Sequence, residues 1–242
     1  MILRVYVPDD PTDARGGVPL PTIKPRGAGP HGRTLRPCRE QGPDDEILDL
    51  LDEYGPPTDT PPPPQPVFIR PLDTAGLYPN PDNAYVATVV RHTPGEVVVV
   101  RGRAPSFPDT RAGESPASAA QLRYWSLCTN EYRTPYPVTD CAADHETALD
   151  ASGAYTVVIS TPADRPANAD AEHGVTWLDW GSTAVNGLLL LRHMLPAADF
   201  TQSAHAVPPG QLAVLHMGAN APVGRYCATT TFETGGTTAC GL

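Results

Sequence analysis

Short apolar runs broken by turn residues leave this chain little choice of architecture. The stretch from Leu122 to Cys141, LRYWSLCTNEYRTPYPVTDC, shows the pattern at its densest. It combines an apolar strand pattern, an aromatic pair and two cysteines that enclose a turn-rich segment. Similar runs flank it at Tyr85–Arg91, Glu96–Arg101, Tyr155–Ser160 and Leu188–His193. Runs rich in β-branched and aromatic residues, bounded by Gly, Pro, Asn and Asp, predict strands. After Tyr78 the turn signals recur about every 8–12 positions, the spacing of sandwiches and barrels.

Composition agrees. The 242 residues include 30 Pro and 21 Gly, with 40% hydrophobic and 18% charged residues. That mixture favours many short strands over long helices. The formal net charge of -10 argues against a nucleic-acid partner, which needs clustered cations to displace counterions. No basic run offers itself to anionic lipid. Nor does any stretch approach the roughly twenty apolar residues of a membrane span.

The cysteines add a constraint of their own. Cys128 and Cys141 are separated by 13 positions, as are Cys227 and Cys240, and Cys38 is left over. Each pair spans a turn-rich segment, so two local disulfides account for the spacing. Each would stabilise by about 3 kcal/mol in the chain-entropy view. The competing readings are a zinc site, which usually shows closer Cys or Cys/His spacing, and free buried thiols. Disulfides imply an oxidising compartment. The opening MILRVYVPDD lacks the apolar run of about seven to fifteen residues that a signal peptide carries. The expectation is therefore a mature or trimmed secreted chain, with a cytoplasmic protein of reduced cysteines as the rival.

Read in order, residues 1–66 form a Pro/Gly-rich arm, with a short strand at Ile2–Val7 and a solvated His31. Asp44–Tyr54 predicts a helix: acidic residues fill its first turn, Ile47, Leu48, Leu50 and Leu51 form its apolar stripe, and Gly55-Pro56 stops it. TDTPPPPQP at Thr58–Pro66 reads as a stiff polyproline linker. Residues 67–242 then form the β domain. Its strands begin at Val67–Arg70, and Val175–Trp180 is another of them. A short helix is expected at Pro196–Ala206, with Pro196 in its first turn, and a disulfide-stapled tail follows from Gln211. The predicted class is an all-β antiparallel sandwich or jelly-roll-like fold of about six to eight strands, with one or two short helices.

Catalytic signatures such as a nucleophile elbow, a phosphate loop or a zinc-protease helix do not occur in the sequence. HTPGE at His92–Glu96 has the spaced His and Glu of a cupin metal site without the second nearby histidine. Asp140, Asp144, His145 and Glu146 place four potential metal ligands within seven positions. Such a set could hold calcium or a transition metal, or be solvated carboxylates of a polar turn. Tyr124, Trp125, Trp177 and Trp180 could stack on a sugar or an apolar ligand. Strand alternation nevertheless puts Tyr124 and Trp125 on opposite faces, so one of them belongs to the core. Arg192 and His193 end a strand whose rim could border a site, although a lone histidine there is more often structural. Asn80, Asp82 and Asn83 are turn formers by composition.

The blocks PNPDNAY, RYWSLCTNEY, LDASGAYTVVIS, TWLDWG and LLLLRHMLP, in this order, resemble the domain-of-unknown-function 1214 family, with an echo of family 1254. The similarity covers roughly Leu77–Phe200. It implies a β-sandwich or jelly-roll-like fold, usually in an exported protein, and carries no established activity. It also raises interest in Asn80, Asp82, Asn83, Tyr85, Trp125, Trp177 and Arg192, which fall in the matching blocks. Departures include Asp179 where the family has proline, and Cys128 with Cys141.

The leading expectation is an exported β-sandwich protein that binds a small molecule, a glycan or a protein partner. One alternative is an enzyme, such as a metal-assisted hydrolase, with its site at one end of the sandwich. The other is a structural subunit that assembles as a homo-oligomer through its N-terminal arm.

Overall fold

The computed structural model describes residues 62–72, 80–115, 118–133 and 136–242. The expected arm strand, the Asp44–Tyr54 helix, residues 58–61 of the linker, His31 and Cys38 lie outside these residues.

Among the described residues eight strands build two facing sheets: β1 (Asn83–Arg91), β2 (Glu96–Arg103), β3 (Leu122–Glu131), β4 (Val138–Ala143), β5 (Ala154–Ser160), β6 (Thr176–Asp179), β7 (Asn186–Pro196) and β8 (Val223–Ala228). One sheet has the order β1-β7-β3-β4 and the other β6-β5-β2-β8. The β-sandwich expected from the sequence is the fold observed. One pairing departs from antiparallel: β5 and β6 run parallel. Parallel neighbours need a crossover rather than a tight turn, and residues 161–175 supply it through 3-10 turns at Pro162–Asp164 and Ala171–His173.

Alternation fills the space between the sheets. Val86 and Val90, Leu189 and Leu191, and Trp125 and Leu127 point in from the first sheet. They meet Val98, Val100, Tyr155, Val157, Ile159 and Leu178 of the second. Burying each such side chain contributes about 1.5–3 kcal/mol. The second sheet is covered on its outer face as well. Val97, Val99 and Val158 pack there with Val175 and with Phe232 of the helix α1 (Thr229–Ala239). Two buried faces explain why β2 contains four consecutive valines instead of an alternating pattern.

Both open sides of the sandwich are closed by short contacts. On one side Ile69 exchanges backbone hydrogen bonds with Ala87 of β1 at 2.9 and 2.7 Å. Gln65 accepts from Tyr226 N of β8 at 3.0 Å, so residues 65–69 run from one sheet to the other. On the other side Asp140 of β4 accepts from the backbone of Asp179 in β6 at 2.8 Å. Thr129 donates to Asp179 O at 3.1 Å.

Four local expectations need correcting. Val67–Arg70 makes isolated bridges at Ile69, to Ala87 on one side and Leu212 on the other, instead of a strand, because the segment spans the gap between sheets and meets β1 at one point. VTDCAA, read as polar turn, is strand β4: Cys141 lies directly opposite Cys128, and β3 supplies its ladder. Pro196 ends β7 instead of opening a helix, and only Ala204–Ala206 forms a 3-10 turn. The weakly patterned tail yields β8 and α1. Thr and Gly are poor helix formers, and Gly236 breaks the helix with a φ of 58°. Tertiary anchors hold α1 in place, namely buried Phe232 and the Cys227–Cys240 disulfide.

Candidate functional site

The register brings several of the sequence candidates together. Tyr85 of β1 lies opposite Arg192 of β7, whose guanidinium sits 5.2 Å from the tyrosine ring centroid. Asn83 and Tyr124 both lie opposite Met194, one from each side. Asn83, Tyr85, Tyr124 and Arg192 therefore share the outer face of the first sheet, each partly buried. Asn80 and Asp82 form the turn that enters β1: Asn80 Oδ1 accepts from Asp82 N at 3.2 Å, and Asp82 O accepts from Leu195 N at 2.9 Å.

The tryptophans do not join that face. Trp125 is wholly buried between the sheets, its ring 5.4 Å from that of Tyr155. Trp180 is also core, and its indole N–H donates to Ala184 O at 2.9 Å. Trp177 lies on the outer face of the second sheet, under the Arg165 guanidinium at 4.5 Å, with its N–H on Ser160 Oγ at 3.0 Å. Packing needs account for all three rings.

The metal set Asp140, Asp144, His145 and Glu146 does not converge. Asp140 accepts from Cys141 N and Asp179 N, both at 2.8 Å. Asp144, buried, accepts from Trp125 N at 3.2 Å and His145 N at 2.8 Å. Glu146 turns back to Ala143 N at 3.0 Å. Each carboxylate takes local backbone donors, and Asp144 Oδ1 and Glu146 Oε1 also lie 3.3 and 3.7 Å from the two ring nitrogens of His145, while Asp140 stays apart from them on Asp179 N. Among the described residues no three His, Cys, Asp or Glu side chains are placed to hold a metal ion.

His92 of HTPGE likewise has a local partner. Its Nε2 lies 3.1 Å from Asp164 Oδ2, and Asp164 Oδ1 accepts from Gly95 N at 2.9 Å. The Gly95 hydrogen bond and then the histidine hold the Asp164 carboxyl below its usual range. This pair clamps the β1–β2 connection to the β5–β6 crossover. His193 is buried on the inner face, where desolvation pushes its imidazole down to about 3. Its Nδ1 accepts from Ala204 N at 3.1 Å, which fixes a neutral ring.

A cleft of about 570 Å³ opens at the end of the sandwich where β2 finishes and β5 begins, lined by Arg103, Phe107, Gln121, Leu149, Gln202 and Asn220 among others. A second cleft of about 440 Å³ adjoins it at Arg103 and Ala219, and adds Arg101, Ser152 and Val223. Both volumes fall in the range of small-ligand sites.

The walls of these clefts are fixed by hydrogen bonds. Gln121 Oε1 accepts from Ser106 N, and Ser106 Oγ accepts from Gln121 N, both at 2.9 Å. Asn220, buried, donates through Nδ2 to Arg103 O at 2.9 Å. Asp150 takes Ser152 N, Ser152 Oγ and Ala154 N at 2.8, 2.6 and 3.0 Å. It also pairs with Arg101 at 2.6 Å. Those bonds, the serine hydroxyl first, hold its carboxyl far below the usual range. The exposed Arg103 guanidinium and the Gln202 carboxamide make no hydrogen bond or ion pair to the described residues, and both are open to a ligand. Among the described residues the first cleft is lined by one cation, Arg103, by the amides of Gln121, Gln202 and Asn220, and by apolar surface from Phe107 and Leu149.

The sequence gives little warning of this site. Its residues are scattered from 101 to 242, and each is ordinary where it stands. The one signal in hindsight is an RGR that follows the four valines of β2.

Comparison with known proteins adds little. No family model matches the chain, and no curated protein matches it. It is similar to a solved structure of an uncharacterized protein from Burkholderia cenocepacia, at 16% identity and a TM-score of 0.41, over 67% of this chain and 35% of that one. The chain thus spans about a third of that protein's length.

Proposed function

We propose that the protein is an exported β-sandwich that binds a polar small molecule or glycan in the cleft at the β2–β5 end. One observation carries the reading: a preformed cleft of about 570 Å³ whose rim presents Arg103 and Gln202, side chains without a hydrogen-bond or ion-pair partner among the described residues. Its walls are already locked by Ser106–Gln121 and Asn220, so little ordering entropy opposes binding. The disulfides Cys128–Cys141 and Cys227–Cys240 support an oxidising, extracytoplasmic setting. The resemblance to the domain-of-unknown-function 1214 family belongs to this proposal, since that family is usually exported.

A thermal-shift screen with sugars, sugar acids and polar metabolites tests the reading, repeated on Ala219→Trp. That exposed alanine lines both clefts, and an indole there fills their junction. Stabilising compounds are expected to lose their effect on the variant. Hits that stabilise both proteins equally would place binding elsewhere.

A further inference from the structure

The two clefts differ in chemistry but share a saddle, and the saddle is cationic. Arg103 lines both clefts and Arg101 the second, and these are the charged side chains among the described lining residues. Arg101 is already neutralised, held by Asp150 at 2.6 Å and by Thr156 Oγ1 at 2.8 Å. Arg103 has no such partner. Among the described residues, Arg103 is thus a guanidinium without a counter-charge where two clefts meet, and no Asp or Glu side chain lines either, in a chain of formal net charge -10.

The surrounding groups limit what that cation would take. Gln202 offers both a donor and an acceptor, and Gln121 keeps its amide N–H₂ free once Oε1 is spent on Ser106. Phe107 and Leu149 supply apolar surface beside them. Amides suit hydroxyls, apolar walls suit the C–H faces of a pyranose, and a planar guanidinium suits a carboxylate in two-point contact. A simple inorganic anion would use the arginine alone. The space on both sides of Arg103 would then be left without a role.

We infer that the joined clefts bind an acidic oligosaccharide, with a uronate carboxylate on Arg103 at the saddle and neighbouring sugar units on either side. This rests on the ligand-binding reading above and adds the substrate class to it.

Titration calorimetry on the full chain tests it with four probes: tetragalacturonate, its fully methyl-esterified form, cellotetraose and inorganic phosphate. Tetragalacturonate is expected to bind, the ester and cellotetraose about tenfold or more weakly, and phosphate negligibly. The margin is that of a charge-assisted hydrogen bond. Arg103→Ala is expected to weaken tetragalacturonate by about tenfold or more, and Arg103→Lys by less, since lysine cannot make the two-point contact. Raised salt is expected to weaken the wild type and to have little effect on Arg103→Ala. An unchanged melting temperature in Arg103→Ala shows that the fold is intact.

If the ester binds as well as the acid and Gln202→Ala weakens both, the acidic inference falls while the cleft reading stands. Phosphate binding as tightly as tetragalacturonate reduces the saddle to a plain anion site and overturns the inference. If no probe binds, or neither Arg103→Ala nor Gln202→Ala alters binding, both readings fall.

Discussion

Lowering the pH tests the interior directly, because His193 is buried and held neutral. Desolvation, and then the neighbouring His205, depress its imidazole from 6.5 to about 3. The charged groups facing this pair are Arg70 and Asp82, through their influence on His205. Above pH 6.5 neither the native nor the unfolded chain protonates His193, and its contribution is complete. As pH falls below 6.5 the unfolded chain gains a proton that the native state refuses, so stability declines until the pH reaches about 3. The whole gap corresponds to about 5 kcal/mol, of which about 2 kcal/mol is lost by pH 5. His205 is lowered mainly by burial and acts with the same sign. Depressed carboxylates such as Asp164 also lose their contribution on acidification, but only as the pH falls through their ordinary value of 3.8, below the pH 7.5–5 range. Urea denaturation at pH 7.5, 6 and 5 measures the decline. His193→Asn keeps an acceptor for Ala204 N and cannot titrate. It is expected to start lower, through lost packing, yet to lose about 2 kcal/mol less than wild type between pH 7.5 and 5. Parallel pH dependences for the two proteins would refute the reasoning.

Other expectations concern particular contacts. Tyr155 is buried and its hydroxyl has no hydrogen-bond partner, so Tyr155→Phe should leave stability within about 1 kcal/mol of wild type or raise it, as chemical denaturation would show. Gly102→Ala would place a Cβ 2.6 Å from that hydroxyl oxygen; it should cost about 1–3 kcal/mol, with part recovered in the double variant with Tyr155→Phe. Asp140→Ala should destabilise by about 1–3 kcal/mol through its two orphaned backbone donors, while chelator leaves the wild-type melting temperature unchanged. Replacing Cys227 and Cys240 together by Ala should cost about 3 kcal/mol and release α1 first, which hydrogen exchange along the chain would detect.

Strand identity was legible because it is written locally. The valines of β2, the alternation of β7 and the turn residues between them follow from burial on one face or two. Equal cysteine spacing likewise anticipated both disulfides, since a loop of that length closes without help from the rest of the fold. The alternation rule also separated Tyr124 from buried Trp125. What the tertiary structure decided involves partners far apart in sequence. VTDCAA became a strand only because β3 lay beside it, and a Thr/Gly-rich tail became a helix only because Phe232 had valines to cover. The acidic residues around Asp144 looked like ligands until the backbone donors of β3, β4 and β6 claimed them. The cleft at Arg103 was invisible for the same reason. Its walls come from three separate connections, β2–β3, β4–β5 and β7–β8, and an arginine left without a counter-charge can be recognised only once its neighbours are in place.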